Sequence, residues 1–289
     1  MAPQSTQTMD KKREFALSHE EFKKLTGLVH SLTGIVLGDH KKDMVYSRLA
    51  RRLRQLGLQS FSQYCALLDS KKAAQETGFL VNAITTNLTK LYRESHHFDS
   101  MAEYLTDISR DKIRNSGDKS LLIWSAGCSS GEEPYSIAST ILSKVPSLGQ
   151  WNLRILATDL DTNMLDTGRA GIYPKSALDG IPEAYQPVIK EHITLKDNKI
   201  HVKDRAKSLV HFKQLNLLHD WPMKRKFDVI FCRNVLIYFD NPTKDNLVRR
   251  YADQLLPNGM LFLGHSESLL NKPDDLQLIG RTSYVKRSA

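Results

Sequence analysis

Cysteine is scarce: Cys65, Cys128 and Cys232 stand far apart in 289 residues, with no CxxC and no Cys/His spacing. That excludes a disulfide framework and a zinc site together, and fits a reducing cytoplasm. No apolar run approaches the roughly 18–20 residues needed to span a bilayer. The opening MAPQSTQTMDKKRE is polar and lacks the apolar core of a signal peptide, so residues 1–14 read as a disordered tail. Internal repeats and low-complexity tracts are missing as well. What is present in excess is positive charge, 41 Lys+Arg against 32 Asp+Glu, a net +9. Through residue 90 the count is 14 against 8, so +6 of the +9 sits in the first third. Such a balance speaks to an acidic partner, not to a fold. With 40% hydrophobic residues, the length suits one large globular domain plus a smaller one.

Residues 15 to about 110 read as helices with short breaks. SHEEFKKLTGLVHSLTG opens with Ser18 as N-cap, has Glu21 three residues on and stops at Gly34. DHKKDMVYSRLARRLRQLG follows, ended by Gly57, and then SFSQYCALLDS, AAQETGFLVNAITTN and SHHFDSMAEYLTDISRDK. Near residue 120 the pattern changes. SLLIWSA, LRILATD, FDVIFCRN and GMLFLGHSE read as strands, interleaved with the helical EPYSIASTILSKV, TNMLDTGRAGIY and TKDNLVRRYADQLL. This alternation implies parallel βαβ units and an α/β, doubly wound sheet. HITLKDNKIHVKDRAKSLVHF breaks it with three short β-rich runs, the first two separated by Lys196-Asp197-Asn198, which reads as a small antiparallel sheet.

Four stretches carry chemistry. WSAGCSSGEEPYS is a Gly-rich strand-to-helix turn but not GxGxxG, and Glu132 and Glu133 follow it. Carboxylates there repel a pyrophosphate drawn to the helix N-terminus. A cofactor without phosphates and with positive charge is tolerated, and S-adenosylmethionine meets both conditions. Ser130-Gly131-Glu132-Glu133 is equally a capping-box pattern. In LATDLD, Asp159 falls where a doubly wound fold places the acid that bonds ribose hydroxyls; the competing role, an N-cap, can fall to Asp161. In FDVIFCRNVLIYFD, Arg233 and Asn234 emerge at the end of a fourth strand, the usual place for reaction chemistry. No Asn/Asp-Pro-Pro-aromatic turn is present, which counts against exocyclic amines as acceptors, and Cys232 lacks the setting of a nucleophile. In TTNLTKLYRESHHF, Asn87, Thr89 and Arg93 cluster where the two regions join. On a helix the adjacent rings of His96 and His97 diverge, so no metal role is expected.

YSRLARRLRQLG concentrates Arg48, Arg51, Arg52 and Arg54. At 100° per residue the first three share an arc of about 100°, apart from Val45, Leu49, Leu53 and Leu56. The expectation is an exposed basic stripe on an anchored helix, with few acids interleaved.

DHKKDMVYSRLARRLRQLGL, NAITTNLT, WSAGCSSGEEPYSIA, FCRNVLIYFD and LFLGHSES together resemble, in the same order, the signatures of the chemotaxis receptor glutamate methyltransferase (CheR) family. The resemblance spans about residues 15–288. It implies an all-α N-terminal receptor-recognition domain over 15–90, a linker and helix over 91–118, and a class I, Rossmann-like methyltransferase domain over 119–289. A small antiparallel β-subdomain would be inserted at about 185–212. The implied cofactor contacts are Asn87, Thr89, Arg93, Glu133, Asp159, Asn216, Leu217, Arg233 and Asn234, with S-adenosylmethionine as cofactor, S-adenosylhomocysteine as product and no metal. Arg93 and Tyr238 would border the reacting methyl group. Arg48, Arg51, Arg52 and Arg54 would dock the acidic helical bundle of chemotaxis receptors beside that site. The implied setting is a cytoplasmic monomer recruited to membrane receptor arrays, without membrane insertion or nucleic acid. Leu91 and Tyr92 replace two phenylalanines common in the family. The connection before KIHVKDRAKSLVHF lacks the Gly-containing loop many members carry, so weak or no docking of a receptor C-terminal pentapeptide is expected.

The implied reaction is methyl transfer to a receptor glutamate, giving a methyl ester for sensory adaptation. A carboxylate with a solution pKa near 4.3 is already ionised at neutral pH, so no general base is needed. The rival reading is a nucleic-acid methyltransferase whose arginine helix tracks phosphates. Against it stand the missing amine-methylation turn, the missing catalytic-cysteine context and the lack of aromatics among the arginines.

Overall fold

The computed structural model describes residues 13–71, 73–115, 117–269 and 271–287. Residues 1–12 of the N-terminal tail lie outside the described residues. The chain forms two compact units, one of residues 13–32 and 36–84, the other of residues 33–35 and 85–287.

The first unit is all α: α1 (His19–Thr33), α2 (Lys42–Leu56), α3 (Phe61–Leu68) and α4 (Ala73–Ile84). Local chemistry sets its ends. Ser18 Oγ accepts from Glu21 N at 3.1 Å and Glu21 Oε2 from Ser18 N at 2.8 Å, a reciprocal capping box. Gly57, at φ 68°, closes α2, with Leu58 N reaching Leu53 O at 3.0 Å. Val45, Leu49, Ala50 and Leu53 are buried with Phe22, Phe61 and Tyr64.

The basic stripe on α2 is not the free surface that its spacing suggests. Arg52 forks onto Glu76 of α4, Nη2 to Oε2 at 2.7 Å, with side chains 18% and 6% exposed, and lies over the ring of Phe79. Tyr64 Oη also donates to Glu76, at 2.8 Å. Arg48 donates to the carbonyls of Ala83 and Ile84, at 3.3 and 2.7 Å, at the end of α4. Arg54 pairs with Glu14 at 2.9 Å, and Arg13 with Asp43. Arg51 is exposed and, among the described residues, has no ion-pair partner. The acids that answer these arginines are distant in sequence, which is why the local pattern hides them.

The second unit begins with α5 (His96–Asn115) and β1 (Ser120–Ala126), α6 (Glu132–Lys144), β2 (Asn152–Asp159) and α7 (Thr162–Ala170). Then come β3 (Ile172–Pro174), α8 (Gln186–Glu191), β4 (Ile193–Lys196), β5 (Lys199–Val202), α9 (Asp204–Lys207) and β6 (Val210–Gln214). β7 (Phe227–Cys232), α10 (Asn241–Gln254), β8 (Leu255–Leu263), β9 (Leu276–Gly280) and β10 (Ser283–Lys286) complete it. The seven-stranded sheet runs β6-β2-β1-β7-β8-β10-β9, parallel from β6 to β8, with β10 antiparallel to both neighbours. Alternation along β1 and β7 sends Leu121, Ile123 and Val229 into one core with Phe98, Tyr135 and Ile155. Trp124 and Ile230 enter another with Leu247 and Tyr251. The strand order reverses between β1 and β7, so their carboxyl ends open the crevice where such sheets bind ligands.

The small antiparallel sheet exists, but with different strands from those expected. Its order is β3-β5-β4. Asp197 and Asn198, at φ 52° and 57°, form the two-residue turn between β4 and β5. The third strand is Ile172–Pro174, because Gly171 at φ 60° ends α7 and turns the chain out of the helix expected to run through Tyr173. The third β-rich run, Val210–Gln214, instead pairs in parallel with β2 and buries Val210 and Phe212 in the main core.

Candidate active site

Three strand ends build the site. After β1, the turn 127–131 hangs from β2: Gly127 N and Cys128 N donate to Thr158 O at 2.8 and 2.9 Å. Gly127 sits at φ 79°, and a Cβ there would meet Val235 Cγ2 at 2.3 Å, so the turn and the loop after β7 approach through a glycine. The capping box read from Ser130 does not form. Gly131 is the N-cap, with no side-chain cap bond, and Ser130 Oγ donates to Glu132 Oε2 at 2.7 Å.

At the end of β2, Asp159 accepts Ser129 N on Oδ2 at 2.7 Å and Asp161 N on Oδ1 at 2.9 Å. Burial raises its pKa against those two bonds. Asp161 takes the N-cap of α7, accepting from Asn163 N at 2.9 Å. It also receives Thr85 Oγ1 at 2.9 Å and Asn87 Nδ2 at 2.8 Å, which ties the extended 85–87 segment to this end of the sheet.

At the end of β7, Arg233 is 6% exposed. Its Nε lies 2.6 Å from Glu133 Oε2, and its Nη1 donates to Arg93 O at 2.5 Å and lies 3.3 Å from His97 Nδ1. The other Glu133 oxygen takes Ser125 Oγ at 2.7 Å. Asn234 follows at φ 60°. Arg93 Nη1 curls back to Leu88 O at 2.8 Å, and Tyr238 Oη reaches Thr86 O at 3.4 Å. Asn216 Oδ1 accepts Leu218 N at 3.0 Å, and Leu217 is buried beside it. Tyr92 packs on Tyr185 with centroids 4.3 Å apart and against Phe98, so the departure from phenylalanine sits in a filled aromatic cluster.

Backbone strain gathers here. Eight non-glycine residues have positive φ among the described residues, and Tyr92, Glu94, Ser129 and Asn234 are four of them. Such clustering marks a site that its surroundings over-determine.

Four residues of this network carried no role in the sequence reading: Glu94, His97, His265 and Glu267. The rings of His96 and His97, at the start of α5, do not diverge; their centroids are 4.1 Å apart. His97 is buried, with Nε2 3.0 Å from Arg281 O. Burial and the Arg233 charge depress its pKa to about 4, so it is neutral at neutral pH. Among the described residues no group of three or more His, Cys, Asp or Glu is placed to hold a metal ion, and no helix is long and apolar enough to cross a membrane.

Two family models match the chain: "CheR methyltransferase, SAM binding domain" over residues 87–285 and "CheR methyltransferase, all-alpha domain" over residues 20–85. The chain belongs to the CheR methyltransferase family. It is an S-adenosylmethionine-dependent methyltransferase. A probable chemotaxis protein methyltransferase of Rhizobium etli is 40% identical over 259 residues, 89% of this chain and 96% of that protein. The chemotaxis protein methyltransferase of Salmonella typhimurium is 40% identical over 278 residues, 94% of this chain and 92% of that one. That of Escherichia coli is 40% identical over 273 residues, 93% and 92%.

The donor set fits the CheR family's cofactor. Both oxygens of Asp159 keep a lone pair for ribose hydroxyls. The first turn of α6 carries Glu132 and Glu133, and acidic side chains at that helix N-terminus compete with a phosphate for the same backbone N–H groups.

Proposed function

We propose that this CheR-family enzyme methylates glutamate side chains on the cytoplasmic helical bundle of chemotaxis receptors, forming methyl esters and S-adenosylhomocysteine. The observation that carries this reading is the likeness, over about nine-tenths of the chain, to chemotaxis protein methyltransferases. Bound S-adenosylmethionine supplies an electrophilic methyl group on a sulfonium. Asp159 holds ribose hydroxyls, and Asn216 with Leu217 also contacts the cofactor. Asn87, Thr89, Glu133, Arg233 and Asn234 complete the cofactor's surroundings. The Arg93 guanidinium and the Tyr238 hydroxyl orient the acceptor carboxylate. They hold it in line without neutralising it, since a tight ion pair would blunt the attack. The α2 arginines meet the acidic receptor bundle, with Arg51 as the member whose charge is free to do so. The enzyme works in the cytoplasm and reaches the membrane only through the receptors it modifies.

Labelled methyl transfer to receptor-rich membranes, compared with total RNA, tests the reading. Base-labile, protein-bound label is the expected result. Label on RNA, or base-stable label on protein, overturns it.

A further inference from the structure

Asn234 is gripped from two sides by carboxylates that no part of the reading above uses. Glu267 Oε2 accepts Asn234 N at 2.7 Å and Gly264 N at 2.6 Å, and its Oε1 accepts Ile237 N at 3.3 Å. Gly264 presses on the same residue: a Cβ there would stand 2.5 Å from Asn234 Nδ2 and 2.8 Å from Asn234 N. From the other side Glu94 Oε1 takes the Asn234 amide, Nδ2, at 3.3 Å. Glu94 also binds His265 twice, Nδ1 on Oε1 at 2.8 Å and N on Oε2 at 3.2 Å. The imidazole is 68% exposed while the Glu94 side chain is 11% exposed, so His265 roofs a nearly buried carboxylate.

We infer that Glu94, roofed by His265, is a positioning residue that holds the Asn234 side chain in its cofactor-facing orientation, with Glu267 and Gly264 fixing the backbone beneath. Two left-handed residues meet here from separate segments. Asn234 at φ 60° suits the left-handed region, whereas Glu94 at φ 54° is a long side chain in a conformation such residues adopt rarely. The turn 91–95 holds that conformation, and with it the Glu94 carboxylate reaches both Asn234 and His265. Burial pushes the Glu94 pKa up, but the bonds from His265 and Asn234 and the Arg233 charge outweigh it, so the group lies below its ordinary value and is ionised. An ionised acceptor fixes the amide so that its nitrogen faces Glu94 and its oxygen is left for a ligand.

The inference rests on Asn234 as a cofactor contact, and the test separates the two. S-adenosylhomocysteine is titrated calorimetrically into wild type, Glu94→Ala, Asn234→Ala and the double variant, with no methyl acceptor present. Glu94→Ala and Asn234→Ala should each weaken binding roughly tenfold to hundredfold. The double variant should lose no more than the worse single, because Glu94 acts through Asn234. Additive losses, which a merely structural Glu94 would give, overturn the inference, and so does wild-type affinity in Glu94→Ala. Wild-type affinity in Asn234→Ala sinks the contact itself. Should Glu94→Ala not fold, Glu94→Asp keeps the charge and shortens the reach; wild-type affinity there overturns the inference equally.

Discussion

Arg233 Nε stands 2.6 Å from Glu133 Oε2, with side chains 2% and 10% exposed. The pair joins the end of β7 to the first turn of α6 across the crevice. Removing one partner of a buried pair strands the other charge, at a cost of about 3–5 kcal/mol. Glu133→Ala should therefore lower the urea unfolding free energy by about 3 kcal/mol, and Glu133→Gln by less, since its carbonyl still accepts from Nε. A loss under about 1 kcal/mol in Glu133→Ala would mean that water, or Glu94 at 3.9 Å from Arg233 Nη1, compensates the charge.

Arg93 serves two ends. Its guanidinium holds Leu88 O at 2.8 Å, and its own carbonyl takes Arg233 Nη1 at 2.5 Å. Arg93→Ala should cut methylation of receptor fragments on the order of hundredfold, combining lost orientation with a loosened 88–93 loop. Tyr238→Phe removes one hydroxyl bonded at 3.4 Å and should cost less than about tenfold. Near-normal turnover in Arg93→Ala would rule out its orienting role.

Elements governed by near neighbours were legible in the sequence. Ser18 with Glu21, Gly57, and the Asp197-Asn198 turn are each decided within a few residues, and the apolar runs of β1, β2, β7 and β8 announce a buried parallel sheet. Elements decided by distant partners were not. Ile172–Pro174 is a three-residue strand with Ile172 exposed, and only its pairing with Lys199–His201 makes it one. Val210–Gln214 has the composition of either sheet, and its parallel register with Ile155–Asp159 decides between them. The site shows the same division. Asp159 and Arg233-Asn234 stand out at strand ends, while Glu94 and Glu267 gain meaning only by meeting Asn234 from positions 140 and 33 residues away. Glu267 left a signal in LGHSES, as a lone acid just past the buried end of β8, whereas Glu94, in the turn before α5, left none.

Because Arg52 is committed to Glu76, charge reversal on α2 separates docking from folding. Arg52→Glu would set two carboxylates together around a 6% exposed side chain and should destabilise the protein by several kcal/mol. Arg51→Glu reverses an exposed charge and should leave thermal unfolding within about 0.5 kcal/mol of wild type. It should also weaken receptor methylation more at low salt than at high salt. S-adenosylhomocysteine affinity, measured alongside, should not change. Unaltered methylation by Arg51→Glu at low salt would remove the helix from receptor docking.

His97 makes the fold sensitive to acid. Its pKa is about 4 in the folded chain, from burial first and the Arg233 charge second, against an ordinary 6.5. Between those values the unfolded chain binds a proton that the folded chain refuses, so stability rises with pH across the window and is flat for this group above it. The loss from pH 6.5 down to 4 amounts to about 3 kcal/mol for this residue. His192, also depressed by burial, adds to the same slope, and the raised carboxyls of Asp159, Glu132 and Glu267 oppose it at the acid end. The difference between wild type and His97→Gln removes these shared contributions. Urea unfolding at pH 7, 6 and 5 should show wild type losing more stability than His97→Gln as the pH falls. Parallel curves would mean that His97 takes up its proton in the folded state, with Arg233 Nη1 no longer donating to Nδ1.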